Sequence, residues 1–266
     1  MKKKNQKSMT IDAATWDAYV KTLRTIDDRA AEEMIRWMAK KHGFVQEFNA
    51  YMLTGAQRED LITMAHAVAT KYGEAASAAA CEMYDAVARR SRAAKAKRAI
   101  PAKTATRKET AKAVMGAAKQ GGALIPGVVS RLVRTAGADT MMQNAIRDGA
   151  EWAWIPGGDS CAFCLTLASQ GWMPASQEQM SGGHADHIHN NCNCTFAIRF
   201  NSGTNIAGYD PQKYLDMFKD RPGSWTDKIN AVRRENYAEN ADQINAQKRE
   251  AYAARKAAEE ASAEPK

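Results

Sequence analysis

The sequence is short of long apolar runs, of cysteine and of histidine, and each shortage excludes something. Nowhere in its 266 residues is there a stretch approaching the roughly 18 apolar residues that span a bilayer. The basic opening MKKKNQKSM is not followed by the apolar core of a signal peptide. A soluble, unsecreted protein is the expectation. Five cysteines make an odd count, and four of them crowd into one segment, which argues for metal over a disulfide framework. The fifth, Cys81, lies on a helical pattern and reads as a small apolar residue.

Positive charge is abundant, and much of it is local. Arg89, Arg90, Arg92, Lys95, Lys97, Arg98, Lys103, Arg107, Lys108 and Lys112 are opposed only by Glu109. This block suits an acidic partner, including non-specific DNA contact through residues 89–112, or else a solvated and partly disordered connector. No aromatic residue stands between Arg89 and Lys112, so nucleic-acid binding there would be backbone contact without base stacking.

The rest of the chain reads as mostly helical. From Thr10 to Lys41 the residues Trp16, Tyr19, Val20, Leu23, Ile26, Ala30, Met34, Trp37 and Met38 recur every three or four positions and lay one apolar stripe along a helix, with Gly43 as its stop. Helices are expected from about Gln57 to Lys71 and from Gly73 to about Arg92, separated at Tyr72-Gly73. Their Met-rich faces read as core or helix-partner surface. Beyond the basic linker come a helix near Glu109 to Lys119, a short apolar helix from Pro126 to about Arg134, and another capped by Asp139. Alternation around Trp152 and Trp154, and from Thr195 to Phe200, predicts two short strands. A short helix over YDPQKYLDMF precedes a polar tail in which Arg234-Glu235-Asn236-Tyr237-Ala238 is echoed by Arg249-Glu250-Ala251-Tyr252-Ala253, too little for a solenoid. That tail is either solvent-exposed or ordered against a partner.

Between the two predicted strands lies the constellation with chemistry in it. Cys161-x-x-Cys164 is followed, about two dozen residues later, by His189-x-x-Cys192-x-Cys194. Thiolate and imidazole are zinc's preferred ligands, and two knuckles of this kind close a tetrahedron. Five groups compete for four places. The preferred set is Cys161, Cys164, His189 and either Cys192 or Cys194; the rival is four cysteines with His189 holding a thiolate by hydrogen bond. Four protein ligands leave no open position for a reactive water, so the zinc is expected to be structural.

Catalytic readings are weaker. A cysteine hydrolase using Cys161 and His189 lacks an identifiable orienting group and oxyanion hole. A metal-dependent nuclease with His187 as base, the runner-up, finds no histidine after His189. A zinc deaminase needs His-x-Glu, yet neither His42 nor His66 has it, and Ser160 stands where a proline belongs.

EWAWIPGGDSCAFCLTLASQGW together with HIHNNCNCTFAIRF resembles the minor head proteins of tailed phages and prophages, of the Mu F-like head-morphogenesis group, whose second knuckle often reads His-Pro-Asn-Cys-Arg-Cys. Asn190 and Asn193 here replace the proline and arginine without altering the spacing. The likeness covers roughly Asp139 to Phe218, with a similar polar tail. It implies a non-enzymatic, low-copy virion component, present in the host cytoplasm during assembly and then in the capsid interior or near the portal. Its partners would be the portal, other head proteins and scaffold, in an oligomeric assembly. It brings no catalytic residue, only the knuckle positions Cys161, Cys164, His189, Cys192 and Cys194.

The expected fold is thus mainly α with a small α+β zinc-knuckle element: a helical N-terminal region (1–100), a basic linker with short helices (101–138), a metal-stapled core containing a short two-stranded segment (139–220), and a polar helical tail (221–266).

Overall fold

A computed structural model describes residues 9–42, 53–157, 160–178, 194–239, 241–242, 245–246 and 249. Among them the protein is mainly helical, with two small sheets. No helix of the described residues is long and apolar enough to cross a membrane.

Three long helices make the frame: α1 (Ala13–His42), α2 (Gly55–Arg90) and α4 (Ile125–Asp148) pack on one another, and α3 (Arg107–Gln120) lies against α2 and α4. The stripe of α1 is buried as its spacing predicts, with Ala30, Met34 and Met38 fully covered and packed with Leu61, Ala65, Val129 and Val133. Helix α1 starts later than the periodicity suggests. Asp12 accepts the Thr15 amide at 2.9 Å and begins the helix, while Thr10 belongs to strand β1 (Met9–Ile11). The proposed stop at Gly43 lies outside the described residues. Capping boxes start α2 (Thr54 with Gln57) and α3 (Thr106 with Glu109).

Two expected breaks are absent. Helix α2 runs through Tyr72-Gly73, because Gly73 is there for close packing: a Cβ on it would meet the Thr104 methyl at 2.9 Å and the Ala136 Cβ at 3.4 Å. Helix α4 likewise runs from Pro126, placed in its first turn where no amide bond is lost, through Asp139 to the left-handed Gly149. Asp139 is therefore interior rather than a cap.

Residues 91–106, which hold half of the basic block and the start of the predicted linker (101–138), are ordered although they join no sheet. Side chains of α2 and α4 satisfy their backbone instead. Lys97 N donates to Asp148 Oδ2 (3.0 Å), Ala99 N to Asp85 Oδ1 (2.8 Å), Ile100 N to Asn144 Oδ1 (2.9 Å) and Ala102 N to Thr140 Oγ1 (2.9 Å). Asn144 Nδ2 and Gln143 Nε2 return bonds to the Ile100 carbonyl, and Arg147 donates to the carbonyls of Lys97 and Arg98. The Arg147 guanidinium, with Tyr84 and the Lys97 amide, holds the Asp148 carboxyl below the usual range. The picture of a partly disordered connector is thus corrected: backbone polar groups that have no ladder find partners on two helices.

Strands β2 (Glu151–Ile155) and β4 (Thr195–Arg199) pair antiparallel as the alternation suggests, with Trp152 opposite Ile198 and Trp154 opposite Phe196. A two-residue strand β3 (Met173–Pro174) adds to β2, so the sheet has three strands, not two. Trp152, Trp154, Phe196 and Ile198 join Trp16, Tyr84 and Met141 in one core, which draws on both the N-terminal helices and the sheet region. β1 pairs in parallel with β5 (Thr204–Ile206).

Helix α5 (Ala162–Ser169) begins within the first cysteine pair, and α6 (Pro211–Lys219) and α7 (Trp225–Glu239) pack on it. Ala162 and Leu165 of α5 meet Phe218 and Val232 in a small third core. The polar tail is therefore docked as far as α7; most of the echoed segment after Arg249 lies outside the described residues.

Between α1 and α4 an ion pair is nearly enclosed: Arg134 binds the Asp27 carboxylate, with side chains 16% and 13% exposed. Burial pushes the Asp27 carboxyl up to about 6, and the neighbouring Arg134 only partly offsets this.

Candidate metal centre

The last register pair of the β2–β4 ladder is Ile155 opposite Thr195. The chain leaving β2 toward Cys161 and the chain arriving at β4 through Cys194 are therefore at one end of the sheet. Ser160 marks their meeting: its hydroxyl donates to the Gly157 carbonyl at 2.7 Å and lies 3.2 Å from Cys194 Sγ. Pairing of two short strands thus brings the second knuckle's last cysteine beside the first knuckle.

Cys161 is the N-cap of α5, in extended backbone, and Cys164 is three residues into the helix. One helical turn sets their sulfurs 3.6 Å apart. Two thiolates at about 2.3 Å from one tetrahedral ion are about 3.8 Å apart, whereas a disulfide closes to about 2.05 Å. The separation suits two ligands on one ion, and it is equally that of a thiol–thiol hydrogen bond. The sulfurs sit at the positive end of α5, which favours negative charge there. Cys164 is fully buried, and Cys161 is half-buried. Two ionised sulfurs here, one of them fully buried, would need a neutralising cation, and the donor set fits a zinc-type ion.

His189 and Cys192 lie outside the described residues, as do His184 and His187 of the nuclease reading. Among the described residues, no three His, Cys, Asp or Glu side chains are grouped as a metal site requires. The structure thus brings Cys161 and Cys164 into ligand spacing and Cys194 to the same sheet end. His66 is elsewhere, on α2, with its Nδ1 3.5 Å from Thr110 Oγ1. Cys81 is half-buried in the C-terminal third of α2, and burial pushes its thiol up.

Sequence reasoning missed what surrounds the knuckle. CAFC opens a helix, and this helix is a wedge: Cys164 and Leu167 face the sheet core, while Ala162 and Leu165 face α6 and α7. Tyr214 of α6 borders the same place; burial raises its hydroxyl, with Cys194 and Asp210 adding to the rise. The apolar pattern of AFCLTLA, interrupted at Thr166, was the available signal, although a run of that length suits a strand equally well. A metal held here would fix the joint between the sheet and the C-terminal helices.

A family model described as VG15 protein matches residues 10–221. That range contains all five candidate ligands and ends before α7. No curated protein and no solved structure matches the chain.

Proposed function

This chain belongs to the VG15 protein family, a viral family, and on that premise we propose that it is a phage minor head protein of the Mu F-like head-morphogenesis type. In this reading it is a structural, non-enzymatic component of the virion, at the capsid interior or near the portal, assembled in the host cytoplasm with portal, other head proteins and scaffold. A zinc-type ion held by Cys161, Cys164, His189 and one of Cys192 and Cys194 staples the fold.

The observation that carries the reading is the 3.6 Å sulfur pair at the start of a helix wedged between two packing layers. A metal in that joint with four protein ligands supplies folding free energy and leaves no position for a reactive water. Its contribution is shape. Proteomics of purified virions tests the assignment: the chain is expected in mature particles at low copy. A virus lacking its gene should yield few filled heads by electron microscopy. Normal yields of filled, infectious particles without it would refute the role in assembly.

A further inference from the structure

The anchored segment 91–106 holds a cationic surface in fixed form. Its inward-facing amides are bonded to α2 and α4, while Arg89, Arg92, Lys95, Lys97, Arg98 and Lys103 are all exposed. Four of these cations, Arg89, Arg92, Lys97 and Arg98, line a shallow depression of about 640 Å³ floored by alanines. The lining holds one carboxylate, Asp85, which is engaged with the Ala99 amide. The depression thus presents four cations against one hydrogen-bonded carboxylate, over a floor with little side-chain bulk.

A second observation concerns the end of α2. The helix closes with Arg92 in left-handed backbone, φ 49°, and the Ala93 amide bonded back to the Ala88 carbonyl at 3.0 Å. Glycine occupies that position at lower conformational cost. An arginine here tolerates strain and sets a guanidinium at the rim of the depression.

We infer that this depression and the adjoining segment bind the phosphate backbone of duplex DNA, without reading sequence. Guanidinium and ammonium groups neutralise phosphodiesters, and a backbone already fixed by helix side chains loses little entropy on binding. No aromatic side chain lies in the segment for unstacked bases, which favours a duplex over a single strand. The inference does not rest on the zinc reading, and either can fail alone.

The test is fluorescence anisotropy of the full chain with a 30-base-pair duplex of arbitrary sequence, at salt from 50 to 200 mM. About five phosphate contacts give a slope near −4.5 in log affinity against log salt, a loss of about 500-fold over that range. The triple variant Lys95→Gln, Lys97→Gln, Arg98→Gln is expected to keep the wild-type melting temperature and flatten the slope by about 2.7. Lys21→Gln, Lys40→Gln, Lys41→Gln removes equal charge from exposed sites on α1 and is expected to leave the slope near wild type. Equal effects of the two triples would overturn the location. Absence of DNA binding at 50 mM salt, or displacement of DNA by polyglutamate at equal charge concentration, would overturn the ligand in favour of an acidic protein.

Discussion

Asn144→Ala tests whether the basic segment is held as the hydrogen bonds indicate. Asn144 is 1% exposed and accepts the Ile100 amide, while its own amide donates to the carbonyls of Ile100 and Thr140. After truncation the Ile100 carbonyl keeps Gln143 as a donor, but the Ile100 amide is left to water. Each lost neutral bond is worth about 1 kcal/mol net, and alanine returns about 0.6 kcal/mol of helix propensity in the middle of α4. Water reaches the site because Ile100 itself is 59% exposed, so the net loss should be about 2 kcal/mol. Most of it falls on the segment rather than on global unfolding. Amide hydrogen exchange is the assay: the amides of Lys97, Ala99, Ile100 and Ala102 are expected to exchange about 30-fold faster, with the core of α2 unchanged. Thr140→Val, which removes the Ala102 bond and the Thr140 hydroxyl's own bond to the Ala136 carbonyl, should act in the same direction and less strongly. Unchanged protection of these four amides in Asn144→Ala would refute the anchoring.

Three other outcomes follow from the packing and the charges. Gly73→Val places a branched side chain where even a Cβ meets Thr104 at 2.9 Å, so it should destabilise by about 1–3 kcal/mol in chemical denaturation; a neutral result would mean that α2 and the segment are not in close contact. Trp154→Ala removes a ring that is 1% exposed and packed edge-on to Phe196 at 4.7 Å, a loss of about 3–5 kcal/mol by the same measurement. Asp27 has its carboxyl raised from 3.8 to about 6 in the folded state, so between these values the folded protein holds a proton that the unfolded chain has released. Its contribution to stability is full below about pH 4 and is lost as pH rises through about 6. Melting temperatures from pH 4 to pH 7 should show that fall in the wild type and a flatter course in Asp27→Asn; parallel curves would contradict it.

Much of the fold was legible where local chemistry and tertiary packing agree. The α1 stripe, the helix near Glu109 to Lys119 and the Trp152/Trp154 alternation lead to elements that the structure contains. Gly73 was misread because glycine punctuates a chain in two ways: it breaks helices, and it permits close approach, and only the neighbour's identity tells them apart. The segment 91–106 carries no periodic pattern because its order comes from side chains on distant helices, Asp85 and Asn144 among them. β1 and β5 are three residues each, too short for alternation to register, and far apart in sequence. For the candidate site, the residue types and spacing were legible, and so were the bracketing strands. That Cys161 caps a helix, and that this helix joins two cores, depends on contacts with α6 and α7 that no local pattern encodes.

The central claim is a structural metal at the Cys161–Cys164 knuckle, and elemental analysis of the full chain tests it most directly. Purified under reducing, chelator-free conditions, the protein should carry one zinc per chain, with Cys161→Ser and Cys164→Ser each losing the metal and melting at lower temperature. Metal-free wild-type protein with the same melting temperature as both serine variants would contradict the account.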